Sequence, residues 1–207
     1  MEQGVGMARK TKEETLKTVA GILDAAEEVF IEHGVAKATI AQIADKAGVS
    51  KGAVYGHYKN KIDVCVAVCQ RGLAENQNIA HQIEAGNLPP LAALLEFGTQ
   101  YMRLFFDSAS FRNTGTILYA KCENSPEFEP VQKIRTMWEK AAYKATDVLI
   151  RKAIATGELA KATDPHKTNH YLHAGIEGLI CASYYTARIP AKNPMTLVRE
   201  ILEMGIA

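Results

Sequence analysis

The sequence is short of the features that mark several protein classes. It has one tryptophan, four cysteines and seven prolines in 207 residues, and its formal net charge is only +1. Cys65, Cys69, Cys122 and Cys181 show neither zinc-ribbon spacing nor the density of a secreted disulfide scaffold, which suits a reducing cytoplasm. No stretch reaches the roughly 18 consecutive apolar residues of a membrane helix. Arg9, Lys10 and Lys12 are followed by Glu13 and Glu14 rather than by the apolar run of a signal peptide. A nucleophile elbow, a glycine-rich phosphate loop and a paired metal motif are all missing, and Ser183 and the histidines have no triad-like spacing. These absences argue against an enzyme and call for no cofactor. The near-zero charge gives no bulk signal for a nucleic-acid partner either.

What is present is helical periodicity almost throughout, with no convincing alternating strand. The pattern predicts an all-α chain. A first helix runs from about Lys12 to Glu32, with Leu16, Val19, Leu23, Ala26 and Phe30 as its apolar stripe, and Gly34 ends it. Two short helices follow, about Ile40–Ala47 and Lys51–His57. A fourth opens at Asn60 and reaches about Ile83. Pro89-Pro90 starts a fifth, to Asp107, and a shorter one covers about Phe111–Cys122. A long helix starts between Pro126 and Pro130 and ends near Gly157. Asp164-Pro165 and Asn193-Pro194 each read as a cap followed by proline at the first helical position.

The informative stretch is Thr39–Lys61, TIAQIADKAGVSKGAVYGHYKNK. Thr39 and Gln42 have capping-box spacing; Ser50 caps the next helix, with Val49 and Val54 at the staple positions. Two short helices joined by a glycine turn make a helix-turn-helix. Ala44, Gly48 and Val54 serve its packing. Ser50, Lys51, Gly52, Tyr55 and Gly56 face outward, and an amino-terminal end in the major groove brings Lys51 to base edges. Tyr55, His57 and Lys61 offer donors to phosphates, and Thr39 sits where free amides at a helix start favour an anion. Charge supports this locally. From His33 to Lys61 there are Lys37, Lys46, Lys51, Lys59 and Lys61 against Asp45, an excess hidden by the acidic stretch before it.

With these residues in view, ARKTKEE and ILDAAEEVFIEHGVAKATIAQIADKAGVSKGAVYGHYKNK resemble the amino-terminal domain of the TetR family. Within it the chain is most similar to the AcrR-type repressors of multidrug-efflux operons. ILYAKCENSPEFEPV, Ile117–Val131, resembles the carboxy-terminal domain of that branch. The resemblance implies a DNA-binding domain over 1–60 and a ligand-binding and dimerisation domain over 61–207. It implies a dimeric repressor that leaves double-stranded operator DNA when a small hydrophobic inducer binds. Carried over, the inducer cavity is lined by Cys69, Leu73, Phe97, Tyr101, Phe105, Tyr119, Arg135, Trp138 and Ile176. The dimer contact falls on Gly175, Gly178 and Ala182 with Leu197, Val198 and Ile201. Three departures stand out. Gly56 occupies a position where the branch carries tryptophan or another large residue, Lys51 one where arginine is frequent, and Leu73 one where a pocket glutamate favours cations.

Alternatives remain at this point. Cys65 and Cys69, one turn apart on the fourth helix, offer a redox-responsive regulator. His166, His170, His173 and Glu177 share a helix face that suits a metal ligand set only if four groups in a row converge on one ion. A DNA-binding protein with no inducer at all is the rival of another class.

Overall fold

The computed structural model describes residues 3–185, 196, 199–201 and 203–204; side chains are described for 12–74, 76, 79, 83, 86–183, 196, 199–201 and 203–204. Regular structure among these residues is helical. The helices are α1 (Gln3–His33), α2 (Ile40–Ala47), α3 (Lys51–Tyr55), α4 (Lys61–Ala85) and α5 (Pro90–Asp107). After these come α6 (Ala109–Thr116), a π-helical turn (Ile117–Lys121), a 3-10 turn (Pro126–Phe128), α7 (Glu129–Thr156) and α8 (Pro165–Tyr185). Among the described residues no helix is long and apolar enough to cross a membrane. Leu197 and Val198, expected on a ninth helix, lie outside the described residues.

Local chemistry explains most boundaries. Asn60 Oδ1 accepts the N–H groups of Ile62 (2.8 Å) and Asp63 (3.0 Å), so α4 starts capped. Asp164 Oδ1 does the same for His166 (2.9 Å) and Lys167 (3.3 Å) at α8. Those two bonds, Lys167 first, hold its carboxyl below the usual carboxylate range.

Four expectations need correction. α1 begins at Gln3 rather than near Lys12, because no proline interrupts the segment and extending a nucleated helix costs little. Leu16 is 61% exposed, so the buried stripe of α1 starts only at Ile22. α3 stops at Tyr55 instead of His57, since the N–H groups of His57 and Tyr58 both turn to the Val54 carbonyl (3.0 Å each). The helix expected over Phe111–Cys122 is two elements. Ser108 Oγ accepts the Phe111 N–H at 3.1 Å, which moves the start to Ala109. Its end widens into the π-helical turn, where the Lys121 carbonyl accepts the Val35 N–H at 3.0 Å.

The chain divides into two compact units. The first comprises Met1–Leu73 and Asn113–Arg135. Here α1 packs on α2 and α2 on α3. Ile22, Phe30, Ile43 and Val54 have no exposed surface, and burial of each is worth about 1.5–3 kcal/mol. A five-residue helix such as α3 is far too short to persist alone, so Val54 is what holds it.

The second unit comprises Ala74–Arg112 and Thr136–Ala207. Ile79, Ile83, Ala93 and Phe97 form a buried cluster, with Leu104, Ala142, Ala145 and Leu149 against it. α7 and α8 share a buried polar contact, Thr146 Oγ1 donating to Asn169 Oδ1 at 2.7 Å.

Candidate nucleic-acid interface

The start of α2 is tied reciprocally. Thr39 Oγ1 accepts the Gln42 N–H (3.2 Å), and Gln42 Oε1 accepts the Thr39 N–H (2.9 Å). Gly48 ends α2 at φ +66°, a left-handed conformation that costs a residue without Cβ little; its own N–H reaches the Asp45 carbonyl (3.2 Å). Ser50 Oγ then accepts the Ala53 N–H at 3.1 Å and starts α3. The turn is therefore built from backbone-satisfying side chains, which fixes the angle at which α3 leaves α2.

Between α2 and α3 lies an open cleft of about 470 Å³, lined by Ala38, Thr39, Ile40, Ala41, Lys51, Tyr55, Lys59, Asn60 and Lys61. Its charged groups are lysines, and residues at the start of α2 line one side of it. Such a cleft suits a phosphate backbone. Four expected DNA contacts line it: Thr39, Lys51, Tyr55 and Lys61. Tyr55 is 56% exposed, unusual for an aromatic with no partner to cover it. Lys59 and Asn60 line the cleft as well, beyond the residues expected from the sequence. Ser50, Gly52, Gly56 and His57 are exposed but do not line the cleft. Two assignments change in detail. Thr39 Oγ1 donates to Gln42 Oε1 (2.9 Å), so its hydroxyl serves the cap. The half-buried Lys61 donates from Nζ to the Ala36 carbonyl and so ties the loop before α2 to α4.

The glycines in and just after α3 carry information too. A Cβ at Gly52 would meet only Ser50 Oγ, at an ordinary 3.7 Å, and one at Gly56 would lie 3.4 Å from the Ala53 carbonyl oxygen. Among the described residues nothing requires glycine at 52.

The residues expected at an inducer site fall in both units. Cys69 and Leu73 are buried in the first, where Arg135 lies over the half-exposed Tyr119 ring at 5.7 Å. In the second unit Tyr101 stacks on Trp138 (5.8 Å, 28°). Phe111, which was not among the expected residues, meets both rings edge-on (5.4 and 6.2 Å). Phe105 and Ile176 are buried, and Phe97 belongs to the Ile79–Ile83 core cluster. Among the described residues Trp138 Nε1 has no hydrogen-bond partner.

The other candidates separate. The hydrogen bond with Cys69, then burial, pushes the Cys65 thiol far up; burial, then Cys69, pushes Cys122 up to about 11. Thiols held protonated are slow toward peroxide, which weakens the redox alternative. His173 Nε2 lies 3.0 Å from Thr146 Oγ1, and the Tyr143 ring lies against both His170 (edge-on, 5.4 Å) and His173 (tilted, 5.1 Å). Burial, then His170, lowers the His173 pKa. Among the described residues no group of three or more His, Cys, Asp or Glu side chains is placed to hold a metal ion. On α8, a Cβ at Gly175 would lie 3.1 Å from Ile201 Cγ2, so that glycine makes room for the chain's own Ile201. Gly178 is exposed with nothing within 4 Å, and Ala182 is half-buried.

Comparison with known proteins agrees with this geometry. The sequence profile of "Bacterial regulatory proteins, tetR family" matches residues 22–68, from the later part of α1 through α2 and α3 into the start of α4. The Pseudomonas putida regulator ArpR is 30% identical over 175 residues, 84% of this chain and 83% of that one. The chain belongs to the TetR family. Its likeness to solved repressors runs well past the helix-turn-helix. MexZ, described as a key repressor responsible for antibiotic resistance in Pseudomonas aeruginosa, is 38% identical. The match covers 91% of this chain and 92% of that one, with a TM-score of 0.81. SmeT, the repressor of the Stenotrophomonas maltophilia multidrug efflux pump SmeDEF, has been solved with triclosan; that complex is 28% identical with a TM-score of 0.75, over 91% of this chain and 89% of the other.

Proposed function

We propose that this chain is a cytoplasmic, homodimeric repressor of a multidrug-efflux operon that leaves its operator when a small hydrophobic ligand binds. The observation that carries the reading is the extent of the likeness. A 38% identity over nearly the whole of an antibiotic-resistance repressor includes the half of the chain that has no part in the DNA contact. The lysine-lined cleft supplies the operator contact. The ring set Tyr101, Trp138 and Phe111 offers walls to a planar aromatic ligand, with Trp138 Nε1 as a donor inside them. Release is a population shift, and a hundredfold loss of operator affinity needs a coupling of only about 2.7 kcal/mol.

The test combines thermal midpoints in the presence of dyes, bile salts, antibiotics and triclosan with a footprint of the DNA upstream of the gene. A ligand at a hundred times its dissociation constant stabilises the fold by about 2.7 kcal/mol. The same compound should clear the footprint. A footprint that no member of the panel disturbs favours the ligand-independent DNA-binding protein instead.

The dimer is assigned to the outer face of α8. Lys167, Tyr171, Ala174, Gly178 and Cys181 are exposed at alternating spacings of four and three residues, and Tyr171 is 64% exposed. A two-fold contact there pairs the strip with itself. Tyr171→Glu should convert a sedimenting dimer to a monomer and abolish stable operator binding, because one recognition helix reaches only one half-site. A variant that still sediments as a dimer moves the interface elsewhere.

A further inference from the structure

Glu27 is one of several acidic residues on the first helix. In the structure it is a hub. The residue is 8% exposed, and each carboxylate oxygen is engaged by a different element. Oε2 accepts from Arg71 Nη2 of α4 at 2.9 Å, and Oε1 accepts from Asn113 Nδ2 of α6 at 2.8 Å. The other arm of Arg71 reaches Asp24 Oδ1 at 2.6 Å, so one guanidinium spans two acids of α1. Eight residues on from Asn113, the same stretch of chain is tied a second time. The Lys121 carbonyl accepts the Val35 N–H in the loop that leads from α1 to α2. Between the two anchors the chain leaves α-helical geometry for the π-helical turn, a form that is rare and concentrated at functional sites.

A buried charge is a poor source of stability, since an apolar side chain of similar size often does as well; its best-attested use is to fix a register. Glu27 lies on the helix against which α2 packs. The segment 113–121 grips that helix at Glu27 and its exit loop at Val35. We infer that Glu27, Arg71 and Asn113 form a positioning latch: they set the pose of the helix-turn-helix on α1 and so tune operator affinity without touching DNA. The inference rests on the operator-binding reading above and adds to it the residues that hold the DNA-reading pose.

The test uses the full chain and a duplex that the wild-type protein selects from a random pool. Asn113→Asp faces one carboxylate with another about 2.8 Å away. Two such groups cannot both stay ionised without repulsion, and a shared proton remakes the hydrogen bond at lower pH. Relative to wild type at the same pH, Asn113→Asp should bind the duplex about tenfold more weakly near pH 8 and within about threefold near pH 5.5. The slope of affinity against salt should match wild type at both, because no phosphate contact is lost. Asn113→Ala, which has no carboxylate to protonate, should be weakened equally at both pH values, and keeps the test open if the aspartate variant fails to fold. If wild type selects no duplex, the operator reading fails first. If wild type binds and both variants bind as tightly as it does, the latch is structural glue and the inference falls. It falls equally if the aspartate defect is the same at both pH values, or if the salt slope drops by about one.

Discussion

Gly52→Leu should give a protein at least as stable as the wild type that no longer holds its operator. The two halves of this expectation come from different physics. Inside a helix glycine costs about 0.5–1 kcal/mol against a residue with a side chain, because more backbone freedom is lost on folding. At position 52 a Cβ has room, since its nearest neighbour would be Ser50 Oγ at 3.7 Å. The residue is exposed, so a leucine there displaces nothing in the core. In the proposed complex the same surface lies against DNA. An isobutyl group at the second position of a recognition helix holds that helix off the groove floor, and every contact beyond it lengthens. A loss above about a hundredfold in affinity, about 2.7 kcal/mol, is expected. Thermal unfolding and fluorescence anisotropy on one preparation read the two halves together. A leucine variant of unchanged operator affinity means that α3 does not enter the groove by this face.

The helix-turn-helix was legible because its signals are local. Thr39 and Gln42 are three residues apart, as are Ser50 and Ala53, and the bonds they make are the ones their spacing announces. Gly48 takes the left-handed conformation that its place after α2 demands. What stayed hidden depends on chain segments meeting from afar. Arg71 and Asn113 stand 44 and 86 residues from Glu27, and no periodicity links them. Leu16 shows the opposite failure. The apolar rhythm of α1 continues past the point where a partner covers it, so a residue that fits the stripe ends up in solvent. The aromatic helix α5 is a third case. Phe97 and Tyr101 share a face by spacing, yet one is sealed into the Ile79–Ile83 core and the other stacks on Trp138. Helical spacing reports a face, not what lies opposite it.

The lysines of the cleft divide by the kind of DNA contact proposed for each, and a salt series tells them apart. Lys51 is exposed on the first turn of α3, where an amino-terminal approach to the major groove brings a side chain to base edges. Lys51→Ala should cost about 1–3 kcal/mol on the selected operator and relax discrimination at one base pair, with less change on random DNA. Lysine lacks the planar fork of arginine, which puts the effect toward the lower end of that range. Lys61 sits at the start of α4 and already donates to the Ala36 carbonyl. An ammonium has three hydrogens, so this tie leaves donors for a phosphate. Lys61→Ala should therefore weaken operator and random DNA alike and lower the salt slope by about one. If Lys61 acts only as a tie between the loop and α4, operator affinity still falls but the slope stays at the wild-type value. Affinity measured across a salt series on both duplexes separates these outcomes. Should both alanine variants bind operator as the wild type does, the cleft between α2 and α3 is not the surface that meets DNA.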